Sequence, residues 1–245
     1  MARLPYRINY EPDNGSGMFY YNPDDVARVS LITAADDEPS SARTAIRTTI
    51  PAGWLGGGGS MSRWETRSFP TNNGQLYIGY TLRPSGNWWH PGEVGWKNWY
   101  LRPAGGDRNS IHFFAWVDVG NDGAGVMLPK LGTQWGGQAT DEVWGNAEYA
   151  KRVKPGVWNT VEFLITPNSD GRYNGSLQVW VNGALLPMNN PAHGGGINWF
   201  LAGQPVGWDG IWWDMIFANP SAIPAREQYL EHGHLLVMVN TGRSG

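Results

Sequence analysis

The chain has 245 residues, a formal net charge of −3 and no cysteine. That length suits one large all-β domain, the charge argues against a nucleic-acid binder, which would carry a basic stripe, and the missing cysteines exclude disulfides and thiolate metal sites. No run of about eighteen apolar residues occurs, so no membrane insertion is expected, and Met1-Ala2-Arg3-Leu4-Pro5 lacks the apolar stretch of a signal peptide.

Along the chain, residues 1–45 read as an N-terminal arm with loops, packed on the domain or on a neighbouring copy. Phe19-Tyr20-Tyr21 is its anchor, and Asp36-Asp37-Glu38-Pro39-Ser40-Ser41 is a solvated loop. Residues 46–245 read as the main domain. Its short runs of alternating apolar and polar residues, punctuated by Gly, Pro and Asn, have the period of strands. Leu76 to Leu82 alternates in this way, as do residues 110–118, 160–166 and 177–181. The last of these meets Asn182-Gly183, a hairpin signal because both turn positions tolerate positive φ. Asp141 to Ala150 and Pro224 to Glu231 read as short helices, and Leu235 to Val239 as a final strand. Gly56 to Gly59 is a loop inside a single domain.

The chain holds fifteen tryptophans among 34 glycines. Tryptophan has a large apolar face and one N–H donor, so it suits both a sandwich core and a surface that stacks on sugar rings. Core packing accounts for about two-thirds of them, since large aromatics are usually buried. Trp88-Trp89 is the exception singled out, because two adjacent tryptophans in a loop cannot enter the same side of one strand. One of the two is expected to be an exposed platform for a sugar or for a protein partner.

Two stretches carry a resemblance. Lys154-Pro155-Gly156-Val157-Trp158-Asn159-Thr160-Val161-Glu162 and Asn174-Gly175-Ser176-Leu177-Gln178-Val179-Trp180-Val181-Asn182-Gly183 resemble paired segments of concanavalin A-like jelly rolls. The nearest flavour is that of alginate and glucuronan polysaccharide lyases and their uncharacterised relatives. Pro51 to Gly57 and Gly95-Trp96-Lys97-Asn98-Trp99-Tyr100-Leu101 look like further segments of that group. The resemblance spans residues 45–240 and implies an all-β jelly-roll sandwich of two antiparallel sheets. One motif serves lectins, glucanases and lyases alike, so it implies the fold more strongly than any activity.

Alternation then assigns faces. With Leu177, Val179 and Val181 inward, Gln178 and Trp180 face outward, and on the strand at 110–118 His112 and Trp116 fall outward. Tyr77 does so on its own strand. The expected glycan surface therefore combines Tyr77, Trp116, Gln178 and Trp180, with Trp88 and Trp89 at a loop and Lys97 and Tyr100 near an end.

A uronate lyase must neutralise a carboxylate, remove the C5 proton and protonate the leaving oxygen. The residue types exist in Lys97, Arg102, Arg108, His112, Tyr149 and Gln178. The resemblance implies a histidine strand, matched loosely by Asn109-Ser110-Ile111-His112, and a tyrosine strand. Gly125-Val126-Met127-Leu128-Pro129 has no tyrosine. A glycosidase would need paired carboxylates, and the usual E-x-D-x-x-E strand is missing. The reading is thus a non-catalytic protein for polysaccharide binding or surface assembly, such as a phage virion surface or decoration protein. It acts outside the cell or on a virion, with a homo-oligomer formed through the arm. The alternative is a lyase cleaving uronate glycans by β-elimination through His112, Lys97, Arg108 and Tyr149. No cofactor is expected. His232-Gly233-His234 puts two imidazoles on one side of a strand, which is two ligands and no site, and Asp118, Asn121 and Asp122 leave a calcium role open.

Overall fold

The computed structural model describes residues 6–10, 18–20, 28–34, 36–40, 44–54, 62–66, 74–88, 96–103, 111–119, 125–135, 138–145, 153–169, 171–186, 188–189, 196, 207–217 and 225–240. The regular elements among them are strands: β1 (Tyr6–Tyr10), β2 (Met18–Tyr20), β3 (Val29–Thr33), β4 (Thr44–Ile50), β5 (Ser62–Thr66), β6 (Leu76–Pro84), β7 (Trp96–Pro103) and β8 (Ile111–Val119). Then come β9 (Gly125–Trp135), β10 (Gln138–Gly145), β11 (Asn159–Thr166), β12 (Ser176–Val181), β13 (Ala184–Leu186), β14 (Met188–Asn189), β15 (Trp208–Phe217) and β16 (Gln228–Val239).

They form two sheets. The first runs β13–β12–β11–β6–β16–β4–β3, with β1 also paired to β16; the second runs β14–β10–β9–β8–β7–β15–β5–β2. Neighbours are antiparallel in both. The expected all-β, two-sheet fold is what forms.

Period-2 patterning explains the first sheet. On β11 burial alternates residue by residue, placing Val161, Phe163 and Ile165 beside Leu76, Ile78, Tyr80 and Leu82 of β6. Leu177, Val179 and Val181 of β12 and Leu235, Val237 and Val239 of β16 continue this buried layer. The Tyr80 and Phe163 rings stack with centroids 6.2 Å apart. Fully burying each such aliphatic or aromatic side chain stabilises the fold by roughly 1.5–3 kcal/mol. Leu101 and Ile211, partners in the second sheet, are fully buried as well.

The lysine-to-glutamate motif at 154–162 has a structural task. Gly156 takes φ +78°, and its N–H donates to Pro84 O at 2.8 Å. Asn159 is buried, accepts from Lys154 N at 2.9 Å, and donates to Lys154 O at 2.9 Å and Val157 O at 2.8 Å. Its Oδ1 also accepts from Asn182 Nδ2 at 3.1 Å, in the hairpin where Asn182 and Gly183 both have positive φ. The two quoted motifs therefore meet and lock the β11–β12 hairpin against β6.

Three expectations change. Residues 141–145 lie within β10, held to β9 through a bulge at Thr140/Glu142, so no helix forms there. Gln228 to Glu231 opens β16 rather than a helix, because β4 and β6 pair with it from both sides and pairing outweighs local propensity. Residues 1–45, read as arm and loops, contribute β1, β2 and β3 to the two sheets, and the expected boundary at 45/46 falls inside β4.

Candidate functional site

The residues read as one glycan surface lie on two sheets. Tyr77 belongs to β6 and Gln178 and Trp180 to β12, in the first sheet; His112 and Trp116 belong to β8 and Lys97 to β7, in the second. Alternation tells which side of a strand a residue takes, but not which sheet the strand joins. His112 and Trp116 thus belong to a different sheet from Gln178 and Trp180. Trp88, expected at an exposed platform, is 3% exposed, in a turn where its N–H donates to Ser85 O at 2.9 Å. Trp89, Arg108 and Tyr149 lie outside the described residues, as do Asn121 and Asp122.

In the second sheet the register builds a constellation. Tyr100 on β7 and His112 on β8 are direct partners, and Lys97 pairs with Phe114, two residues along from His112. Lys97 and Tyr100 are three apart, a spacing that would put them on opposite sides of a regular strand. A bulge between Lys97 and Trp99 absorbs one residue and returns both positions to the side of His112 and Phe114. Arg102, two beyond Tyr100, shares that side. Leu101 between them is fully buried, and positions 100 and 102 take the other side of the strand from it. The row continues on the same register through Trp212 and Glu65 on one flank and Gly132 and Glu142 on the other.

Of the residues singled out for lyase chemistry, the register brings Lys97, Arg102 and His112 together. Tyr100, expected only near an end of the glycan surface, is the direct partner of His112. A tyrosine is expected on the strand after His112, whereas Tyr100 stands on the strand before it. A bulge that shifts register by one leaves no mark in composition.

The outer side of the first sheet holds a second group. Trp180, Glu162 and Gly79 are successive cross-strand partners. The Tyr77 hydroxyl donates to Glu162 Oε1; burial first, then that bond and charge, hold the phenol well above the usual tyrosine range. The Tyr77 ring lies across Gly79, where a Cβ would come within 2.9 Å of its Oη and push the ring aside. An open pocket of about 250 Å³ follows, lined among others by Ser40, Tyr77, Thr81, Glu162 and His234.

His232 and His234 do not share a side, contrary to the i, i+2 reading. The register shifts between His232 and Leu235, so Gly233 and His234 together oppose Thr81. His232 is turned into the core and buried, with its pKa lowered to about 3 by burial, while His234 lines the outer pocket. No cluster of three or more metal-ligating side chains occurs among the described residues.

The two antiparallel sheets and their register define a β-sandwich of the jelly-roll kind. Solved structures agree. The chain superposes on a variant of alginate lyase Aly36B in complex with alginate trisaccharide with TM-score 0.61 and 13% identity, covering 96% of this chain and 99% of that one. An endo-β-1,4-glucuronan lyase from Trichoderma reesei gives 0.61 and 11%, over 97% and 98%. The PL-14 alginate lyase from Aplysia kurodai gives 0.58 and 13%, over 97% and 100%. No family model and no curated sequence matches the chain.

Proposed function

We propose that this protein is a polysaccharide lyase that cleaves a uronate-containing glycan by β-elimination on the outer side of the second sheet. The observation that carries this reading is the direct pairing of Tyr100 with His112, with Lys97 and Arg102 on the same side. Directly opposed residues of antiparallel strands have Cβ atoms about 4.5–5.5 Å apart, close enough for two side chains to serve one sugar ring. The likeness in fold to alginate and glucuronan lyases supports the same conclusion.

Each residue has a task its chemistry suits. Arg102 and Lys97 pair with the uronate carboxylate, which stabilises the charge that builds when C5 loses its proton. One of His112 and Tyr100 accepts that proton as general base. The electron pair forms the C4=C5 double bond, the C4–O bond breaks, and the other residue supplies a proton to the departing oxygen. The products are an unsaturated uronate end and a new reducing partner chain.

The non-catalytic reading rested on the missing tyrosine at 125–129, and Tyr100 removes that ground. An assembly role is not carried forward, because no observation on the fold favours it. Incubation with alginate and glucuronan, followed by ultraviolet absorbance of unsaturated ends, tests the proposal. Absorbance that rises with time supports it, and a flat trace on every polyuronate overturns it.

A further inference from the structure

We propose that the outer face of the first sheet is a second saccharide site, which takes a neutral sugar unit across Trp180, Glu162 and Tyr77. It is separate from the β7–β8 surface of the second sheet and stands whether or not that surface is catalytic.

The placement starts from register. Trp180 on β12 is the partner of Glu162 on β11, and Glu162 is the partner of Gly79 on β6. One row thus sets an indole, a carboxylate and a bare stretch of backbone side by side. Trp180 is partly exposed and Gln178, two positions along, is exposed. The next row, Gln178–Leu164–Tyr77, runs parallel to the first on the same side. An aromatic face beside polar groups suits a pyranose, whose C–H side stacks on a ring while its hydroxyls reach outward. The pocket of about 250 Å³ is just below the ~300–1,000 Å³ of sites for larger ligands, as a single ring requires.

The hydrogen-bonding pattern selects the ligand. Ser40 Oγ donates to both oxygens of Glu38, at 2.8 and 2.7 Å, and Thr81 Oγ1 donates to Glu38 Oε1 at 2.5 Å. A hydroxyl has one proton, so with its proton committed to Glu38, Thr81 Oγ1 acts towards the pocket as an acceptor. Glu162 Oε1 accepts from Tyr77, and its Oε2 has no other partner among the described residues. Among the described residues the lining is therefore rich in acceptors, includes the His234 imidazole, and has no lysine or arginine. Sugar hydroxyls are donors and fit it. A uronate carboxylate is an acceptor only and carries the same sign as Glu162, so it is rejected. This preference is opposite to that of the Lys97–Arg102 side of the second sheet, where a carboxylate is welcome.

Calorimetric titration of the full chain with neutral cello-, manno- and galacto-oligosaccharides tests the site. At least one should bind saturably. Trp180→Ala, which removes the stacking face, and Thr160→Trp, which fills the pocket rim, should each weaken binding by about tenfold or more. His112→Ala should leave it unchanged. An oligouronate added to His112→Ala protein should not displace the neutral sugar. Unaltered melting of both pocket variants confirms that they fold. The proposal is overturned if none of the neutral sugars binds, if binding survives both substitutions, or if the oligouronate competes. Loss of lyase activity, by contrast, bears only on the second sheet.

Discussion

Arg83 Nε lies 2.5 Å from Oε2 of Glu231, and that carboxylate has no solvent exposure. Arg47 Nη2 meets Oε1 of the same group, also at 2.5 Å. The three residues sit in register across β4, β16 and β6, and the guanidinium groups also lie over the Tyr229 and Trp158 rings. Burial is the largest influence on Arg83 and works against its charge, but the bond to Glu231 together with the charges of Glu231, Tyr229 and Asp37 outweighs it and raises the pKa.

A buried pair broken at one end leaves the other charge without compensation. Glu231→Ala should therefore destabilise the protein by about 3–5 kcal/mol. Arg47→Met should cost less, since Arg83 still compensates Glu231 and Arg47 is itself 35% exposed. Urea unfolding of both variants checks the ordering, and equal midpoints would contradict it.

Asn159 ties together the 154–158 turn, β6 and the Asn182 hairpin. Asn159→Ala removes the side-chain partner of the buried Leu82 O and of part-buried backbone groups of Lys154 and Val157, and should cost about 1–3 kcal/mol. Asn159→Asp should fare little better, because a carboxylate cannot donate to Lys154 O and Val157 O. A change in unfolding midpoint below that of an ordinary surface substitution would show the network to be dispensable.

Protonation of His232 is opposed by burial, so its folded-state pKa falls to about 3 from an unfolded value of about 6.5. The neutral imidazole favours the folded state above the unfolded pKa. That stability is lost as pH drops from about 6.5 towards 3, with a slope of up to ~1.4 kcal/mol per pH unit. His232→Leu should flatten the acid limb of the stability profile relative to the parent chain. Parallel profiles between pH 7 and pH 4 would contradict the assignment.

The strands and their buried faces were readable because β11 and β12 alternate strictly and end on an Asn-Gly turn. The pairing partners were not. Nothing local in 228–231 tells that two strands will flank it, so a helix was the natural reading. Nor does local pattern tell that β8 and β12 belong to different sheets. Bulges hid the rest. One at Asn98 aligns Lys97 with Tyr100, and another at Gly233 turns His232 inward and His234 outward. The candidate residues were visible by type, but the geometry that groups them comes from long-range pairing.

The central claim concerns Tyr100 and His112, and one rate comparison tests it. The initial rate of unsaturated-end formation on the best polyuronate substrate is measured for the parent chain, Tyr100→Phe and His112→Ala. Each substitution should lower kcat by about 10²–10⁴-fold while melting is unchanged, and the pair together should cost little more than either alone. Full activity in Tyr100→Phe, with cleavage of the same polymer, would contradict the assignment of the site.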